Sequence, residues 1–163
     1  MALTDSNDLI DLDLNPIRRR KIRINGDNNR ILELDTTDMG IVTRLNEIYP
    51  KLAELEKEYG SLDIVFDENG DVTEESFAAV GQAIRDIDMR MREYIDSIFN
   101  SNVSKVCAPT GNMFDPINGS FRFEYIIDAL ANLYEDEIAK NIQKRKENVE
   151  KHTAKYTKSR GKK

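Results

Sequence analysis

FRFEYIIDALANLYEDEIAKNI, residues 121–142, decides how the rest of the chain is read. Its large apolar side chains fall at Phe123, Ile127, Leu130, Tyr134, Ile138 and Ile142. Steps of three and four place them on one face of an α-helix, whereas a half-buried strand would alternate in steps of two. Beyond Ile142 the apolar positions thin out to Val149. A helix over 121–149 would be about 43 Å long, so part of it is expected to project for contact with a partner or a second copy.

Upstream, Ser120 is the expected cap of this helix. Residues 100–119 hold two turn-rich runs, Pro109-Thr110-Gly111-Asn112 and Asp115-Pro116-Ile117-Asn118-Gly119. At about 20 residues this bridge exceeds the usual connection, and a short helix or a flexible segment is expected within it. Before it, Phe77, Val80, Ile84, Ile87, Met91, Tyr94 (or Ile95) and Ile98 trace the inner face of a second helix. Thr73 is its expected cap, with Glu74 and Glu75 at the positive end of the dipole. Asp86 with Arg90 and Asp88 with Arg92 read as solvated pairs on its outer side.

Ile41, Leu45, Ile48, Leu52, Leu55 and Tyr59 form a third stripe, with Asp38 as the expected cap. Pro50 predicts a kink or two helices, and Gly60 predicts a left-handed end. Ile22 and Ile24, then Ile31, Leu32 and Leu34, flank the turn Asn25-Gly26-Asp27-Asn28-Asn29. They predict a β-hairpin, 19–25 with 30–35. The expected fold is therefore mainly α with a small N-terminal β-hairpin (α+β). It has three or four helices, a compact helical core and a long C-terminal helix. A single domain at 18–149 is expected between a flexible acidic segment, 1–17, and a basic flexible tail, 150–163.

Charge is sorted along the chain. It carries 24 Lys and Arg against 30 Asp and Glu, a net charge of −6. Residues 140–163 hold ten Lys or Arg against Glu147 and Glu150, a net of +8, so the chain before them sums to −14. Such an acidic body argues against a protein that coats duplex nucleic acid. With no apolar run near ~18 residues, no membrane span is expected. The start, MALTDSNDLIDLDLN, has no basic region and does not read as a secretory signal.

Chemistry is sparse. Cys107 is the one cysteine and His152 the one histidine. The cysteine is expected to be reduced and structural, in an intracellular protein, and a zinc site is not expected. No Walker A run or G-x-G-x-x-G occurs. Asp67-Glu68-Asn69-Gly70-Asp71 fails the register of a calcium loop and reads as a turn leading into a helix. No catalytic residue, metal or cofactor is expected.

The order of three passages resembles the tail assembly chaperones of long-tailed phages and prophages of Gram-positive bacteria. They are KIRINGDNNRILELDTTDMGIVTRLNEIYPKL (21–52), EYIDSIFNSNVSKVC (93–107) and FRFEYIIDALANLYEDEI (121–138). The resemblance spans Lys21 to Glu147. Such proteins tend to carry an Asp-(Ile/Leu)-Phe-Gly corner. Here Asp96-Ser97-Ile98-Phe99 matches and Asn100 stands at the glycine, which Asn can replace because it tolerates the left-handed region.

The resemblance implies a non-enzymatic protein of the host bacterial cytoplasm, absent from the finished virion. It implies binding to the tape-measure protein during tail-tube assembly, with the tail-tube protein and a second copy as further partners. Apolar helices of such a partner suit a groove on a helical protein. The candidate contacts are Tyr49, Tyr94, Phe99, Tyr125 and Tyr134, the loop residues Met113 and Phe114, and the basic Lys144, Arg145 and Lys146. Packing within the chain's own core is the competing reading for the tyrosines and for Met113 and Phe114. Two other classes remain: a persistent tail or connector component, and a small accessory protein that binds nucleic acid through its basic end.

Overall fold

The computed structural model describes residues 10, 12 and 19–160, with side chains through Lys158. The acidic segment 1–17, apart from Ile10 and Leu12, lies outside the described residues, as do residues 161–163. The order is β1 (Arg20–Arg23), β2 (Ile31–Leu34), α1 (Gly40–Gly60), α2 (Glu74–Phe99), α3 (Val103–Cys107), β3 (Pro116–Ile117), β4 (Ser120–Phe121) and α4 (Arg122–Arg160). The fold is mainly α, with an N-terminal antiparallel hairpin and a long last helix.

β1 pairs with β2 so that Ile22 faces Leu32 and Arg20 faces Leu34. The turn needs positive φ, and Asn25 (52°) and Gly26 (71°) supply it. Leu32 and Leu34 enter the core, while Arg20 reaches Glu137 on α4 at 3.1 Å. The hairpin alone would be marginal, and this packing is what stabilises it.

The stripe of α1 is buried at Ile41, Ile48, Leu52 and Leu55. Of the two outcomes expected at Pro50, two separate helices are not found: α1 is one helix with Pro50 inside it. Pro50 and Asn46 are both exposed, so the carbonyl that loses its amide partner faces water. Gly60 is not left-handed either: Ser61 closes the helix in the right-handed region, its N–H donating to Lys57 O and Glu58 O. The N-cap position falls on Met39, which offers no side-chain cap, rather than on the expected Asp38; one residue earlier, Asp38 Oδ1 accepts the Gly40 N–H at 2.8 Å. Arg44 donates to Asp38 Oδ2 at 2.6 Å and holds that carboxyl below the usual range. The pair's contribution is complete above the ordinary carboxylate pKa and is lost as pH falls through the lowered value.

α2 starts at Thr73, whose hydroxyl accepts the Ser76 N–H. Its inner face is buried at Ile87, Met91, Ile95, Ile98 and Phe99. Phe77, expected on that face, is exposed, because α1 ends level with Arg90 and α2 runs past it; Arg90 donates to Glu58 at 2.6 Å. The expected Asp86–Arg90 pair is absent, Asp86 accepting from Gln82 instead.

The bridge 100–119 holds the short helix α3 and, with residues 120–121, the small hairpin β3–β4. Asn100 adopts φ 48° and ψ 44°, as its place in the corner predicts. Asp96 explains the corner's other end: Oδ1 accepts the Ser104 N–H at 2.7 Å and Oδ2 its hydroxyl at 2.9 Å. One carboxylate thus fastens the end of α2 to the start of α3. Asn100→Ala is expected to cost about 1 kcal/mol and Asn100→Gly essentially nothing, measured by urea unfolding, because only the alanine pays fully for a left-handed backbone.

Arginines hold the rest of the bridge. Arg30 donates to Val106 O (2.9 Å) and Cys107 O (2.5 Å), taking carbonyls at the end of α3. Arg92 donates to Ser104 O, Ala108 O and Gly111 O, and to Asp88 Oδ2 at 2.8 Å. Asp88 Oδ1 accepts the Met113 N–H at 2.7 Å. The Asp88–Arg92 pair is therefore no solvated ornament; it is a part-buried junction between α2 and the bridge. The first two amides of α4, Arg122 and Phe123, donate to Asp115 O and Met113 O, and the Phe121 amide just before them donates to the Glu124 carboxylate, while Ser120, the expected cap, sits in β4.

α4 runs antiparallel to α1, with Ile127 beside Leu52 and Ile138 beside Ile41. Its buried positions are Phe123, Ile127, Leu130 and Tyr134, with Ile138 partly buried. Residues 150–160 of the expected tail are helical, and every side chain from Ala139 to Lys158 is exposed.

Candidate apolar groove

The first turns of α1 and the middle of α4 cross at the end of the molecule from which α4 projects. Met39, Val42 and Leu45 line one wall of the space between them, and Ala131, Ile138, Ala139 and Ile142 the other. The cavity is about 440 Å³, and among the described residues Glu135 is the single charged one in its lining. Its openness follows from the sequence. Val42 sits one residue after Ile41 and leans off the stripe, so it cannot reach the core. Ile142 lies one turn past Ile138, where α1 has already ended. Met39, Val42 and Ile142 are 57, 50 and 48 % exposed. Arg145 and Thr37 border a continuation of about 220 Å³. Large apolar side chains held open along two helices form a trough that suits one apolar face of a third helix.

Tyr134 forms the floor. It is buried, packs on Phe99 with ring centroids 5.8 Å apart, and burial pushes its phenol up to about 12. Both were candidate contacts and both belong to the core: Phe99 offers no binding surface, and Tyr134 only the groove's floor. The same correction applies to Met113 and Phe114. Both are buried, and the Phe114 ring stacks on Tyr59 at 4.5 Å. Burial here is favoured because two large apolar side chains on an exposed loop would otherwise remain in water.

Tyr94 is half-buried under the Lys51 ammonium, 5.8 Å from its ring centre. Tyr49 and Tyr125 are exposed, but on separate sides of α4. Tyr49 borders a cavity of about 220 Å³ with Leu52 and Phe123. Tyr125 borders one of about 390 Å³ with Arg23, Cys107 and Leu130. Burial pushes the Cys107 thiol up to about 11, so it stays protonated near neutral pH. Lys144, Arg145 and Lys146 are exposed on α4 just past the groove.

The structure thus brings Arg145 to the groove and scatters the other exposed candidates. Sequence reasoning missed Met39 and Val42 as contacts. The available signal was their place beside the first stripe residue of a helix, where the core has already ended. Among the described residues, no group of three acids, histidines or cysteines is placed to hold a metal, and no helix is long and apolar enough to cross a membrane. No protein-family model, curated protein or solved structure matches the chain.

Proposed function

We propose that the protein is an assembly chaperone that covers an apolar helical segment of a longer partner, the tape-measure protein of a phage tail. On this reading it acts in the bacterial cytoplasm during assembly and leaves before the particle is complete. The observation that carries the reading is the open groove between α1 and α4. A partner helix laid there would bury Met39, Val42 and Ile142 together with its own apolar stripe. Each large side chain so covered contributes about 1.5–3 kcal/mol, which several contacts turn into useful affinity after ordering costs. The named partner comes from the resemblance of the three sequence passages. The acidic body supports solubility of the complex.

The test is co-expression with a long helical tape-measure protein, the partner that this reading names. The wild-type chain should keep that protein soluble and co-purify with it. Val42→Glu combined with Ile142→Glu should weaken co-purification at least about tenfold, since both carboxylates would have to be desolvated in the complex. Both positions are half-exposed, so the variant's own melting point should stay within a few degrees. Equal rescue by the variant would remove the groove from the mechanism. Failure of the wild-type chain to bind or solubilise that protein would remove the chaperone reading.

A further inference from the structure

An acidic, apolar run of the same chain is tethered at the edge of the open groove. We propose that residues 8–14 fold back into the space between α1 and α4 and cover it until a partner helix displaces them. The inference rests on the groove as a docking surface, and not on which partner uses it.

The tether makes the contact local. Arg20 pairs with Leu34, three residues before Thr37 at the groove's border. Arg20 also reaches Glu137, the neighbour of Ile138 in the groove wall. Arg19 lies close enough to Tyr134, the groove floor, for its charge to act on the phenol. Tyr134 is three residues from Ala131, where the α4 wall begins. Residues 15–19 span up to about 17 Å, enough to set Leu14 down beside Ala131. A tether this short holds the run at an effective concentration in the millimolar range, so few contacts suffice. The same segment of a second copy has no such advantage.

The run has the pattern that the groove requires. It reads Asp8-Leu9-Ile10-Asp11-Leu12-Asp13-Leu14. On an extended backbone Ile10, Leu12 and Leu14 share one side, while Asp11 and Asp13 take the other and stay in water. Asp8 falls on the side of Ile10 and ends the apolar line. From Leu14 to Asp8 such a run is about 20 Å long, and α4 from Ala131 to Arg145 is about 21 Å. With Leu14 at Ala131, Leu12 and Ile10 lie along Ile138 and Ile142, and Asp8 meets Arg145. Arg145 follows Ile138 and Ile142 in steps of four and three, so it stands on the groove face, where it lines the continuation. The reverse direction would set Asp8 against Glu135 and leave Arg145 without an acid, so charge fixes the orientation.

Both halves of the contact stand uncovered in the structure. Ile10 and Leu12 are 85 and 68 % exposed, as Met39, Val42 and Ile142 are in the groove. Closure removes all five from water together. A longer partner helix offers more apolar contacts than three side chains, and it wins the groove by mass action.

Disulfide trapping in the full chain tests this. In a Cys107→Ser background, Leu12→Cys/Val42→Cys is treated with oxidised glutathione, which takes up the two electrons and two protons released as the thiols join. A disulfide within one copy should form at least about tenfold faster than in Leu12→Cys/Phe77→Cys, whose second position lies past the far end of α1. Ile10→Asp added to the first pair should slow closure to that control rate. Arg145→Glu should slow it at least about threefold, and Asp8→Arg added to Arg145→Glu should restore it. Mass under non-reducing conditions separates closure in one copy from linkage of two. Leu12, Val42, Phe77 and Arg145 are all exposed, and circular dichroism should confirm folding. Closure no faster than the control overturns the proposal. So does linkage only between copies, or a charge swap that restores nothing. No tape-measure protein is present, so failure here leaves the chaperone reading standing, and failed co-purification leaves this closure standing.

Discussion

Phe114→Ala is expected to lower the melting point by about 10 °C, the result of losing about 3–5 kcal/mol on removing a buried aromatic ring in a chain of this size. Phe114 stands in the bridge between α2 and α4, yet it is 1 % exposed. Its ring stacks on Tyr59 from α1 at 4.5 Å and meets Phe121 and Phe123 edge-on, both at 5.3 Å. One side chain therefore joins the end of α1, the hairpin β3–β4 and the start of α4. Its removal leaves a cavity whose walls belong to three elements that cannot all collapse onto it. Phe114→Leu should cost less, because most of the volume stays filled. Tyr125→Ala, an exposed position three residues into α4, should change stability by no more than about 0.5 kcal/mol. Urea unfolding measures all three. A loss under about 1 kcal/mol for Phe114→Ala would mean that the bridge is not anchored through this ring.

The contrast between Phe114 and Phe77 shows what the sequence discloses. The stripes of α1, α2 and α4 were legible because period alone identifies a helix and its buried side. The hairpin was legible because Asn25-Gly26 supplies the positive φ that its turn requires. Asn100 was legible only through the resemblance, as the residue standing at the corner's glycine. Period does not say where a neighbouring helix ends. Phe77 continues the α2 stripe without interruption, but α1 has stopped before reaching it, so the residue is in water. Ile142 is the same case at the other end. Met113 and Phe114 show the reverse failure, since nothing periodic marks a loop residue that folds inward. Their burial depends on which elements meet there. The groove fell between these cases: its walls are residues at the margins of two stripes, visible only once the crossing of α1 and α4 is known. The helix beyond Val149 was hidden because its described side chains, through Lys158, are exposed, and a sequence pattern of exposure reads as a tail.

Asp88 and Arg92 were misread for another reason, and they carry the second large effect. An i,i+4 acid–base pair looks the same in sequence whether it is solvated or enclosed. Here the side chains are 16 and 21 % exposed, and the pair's remaining capacity is spent on the bridge. Arg92 serves three carbonyls, at Ser104, Ala108 and Gly111, and Asp88 serves the Met113 amide. Arg92→Met keeps much of the apolar stem but strands Asp88 and those carbonyls. The expected cost is about 3 kcal/mol, since breaking a largely buried pair by removing one partner leaves a charge without compensation. Arg92→Lys should recover only part of it, because an ammonium cannot span the positions that a planar fork reaches. Asp88→Asn should be milder, as the amide oxygen can still accept from Met113. Hydrogen exchange supplies the local readout: in Arg92→Met the Met113 and Ala108 amides should lose protection before those of α1. Combining Arg92→Met with Asp88→Asn should cost less than the two singles together, by about 1 kcal/mol or more, because the stranded charge is gone. Strict additivity, or a loss below about 0.5 kcal/mol for Arg92→Met, would return the pair to the surface role that its spacing suggested. A large coupled effect instead makes the bridge a structure imposed by α2, which is how a segment rich in turn residues comes to hold Met113 and Phe114 inside the core.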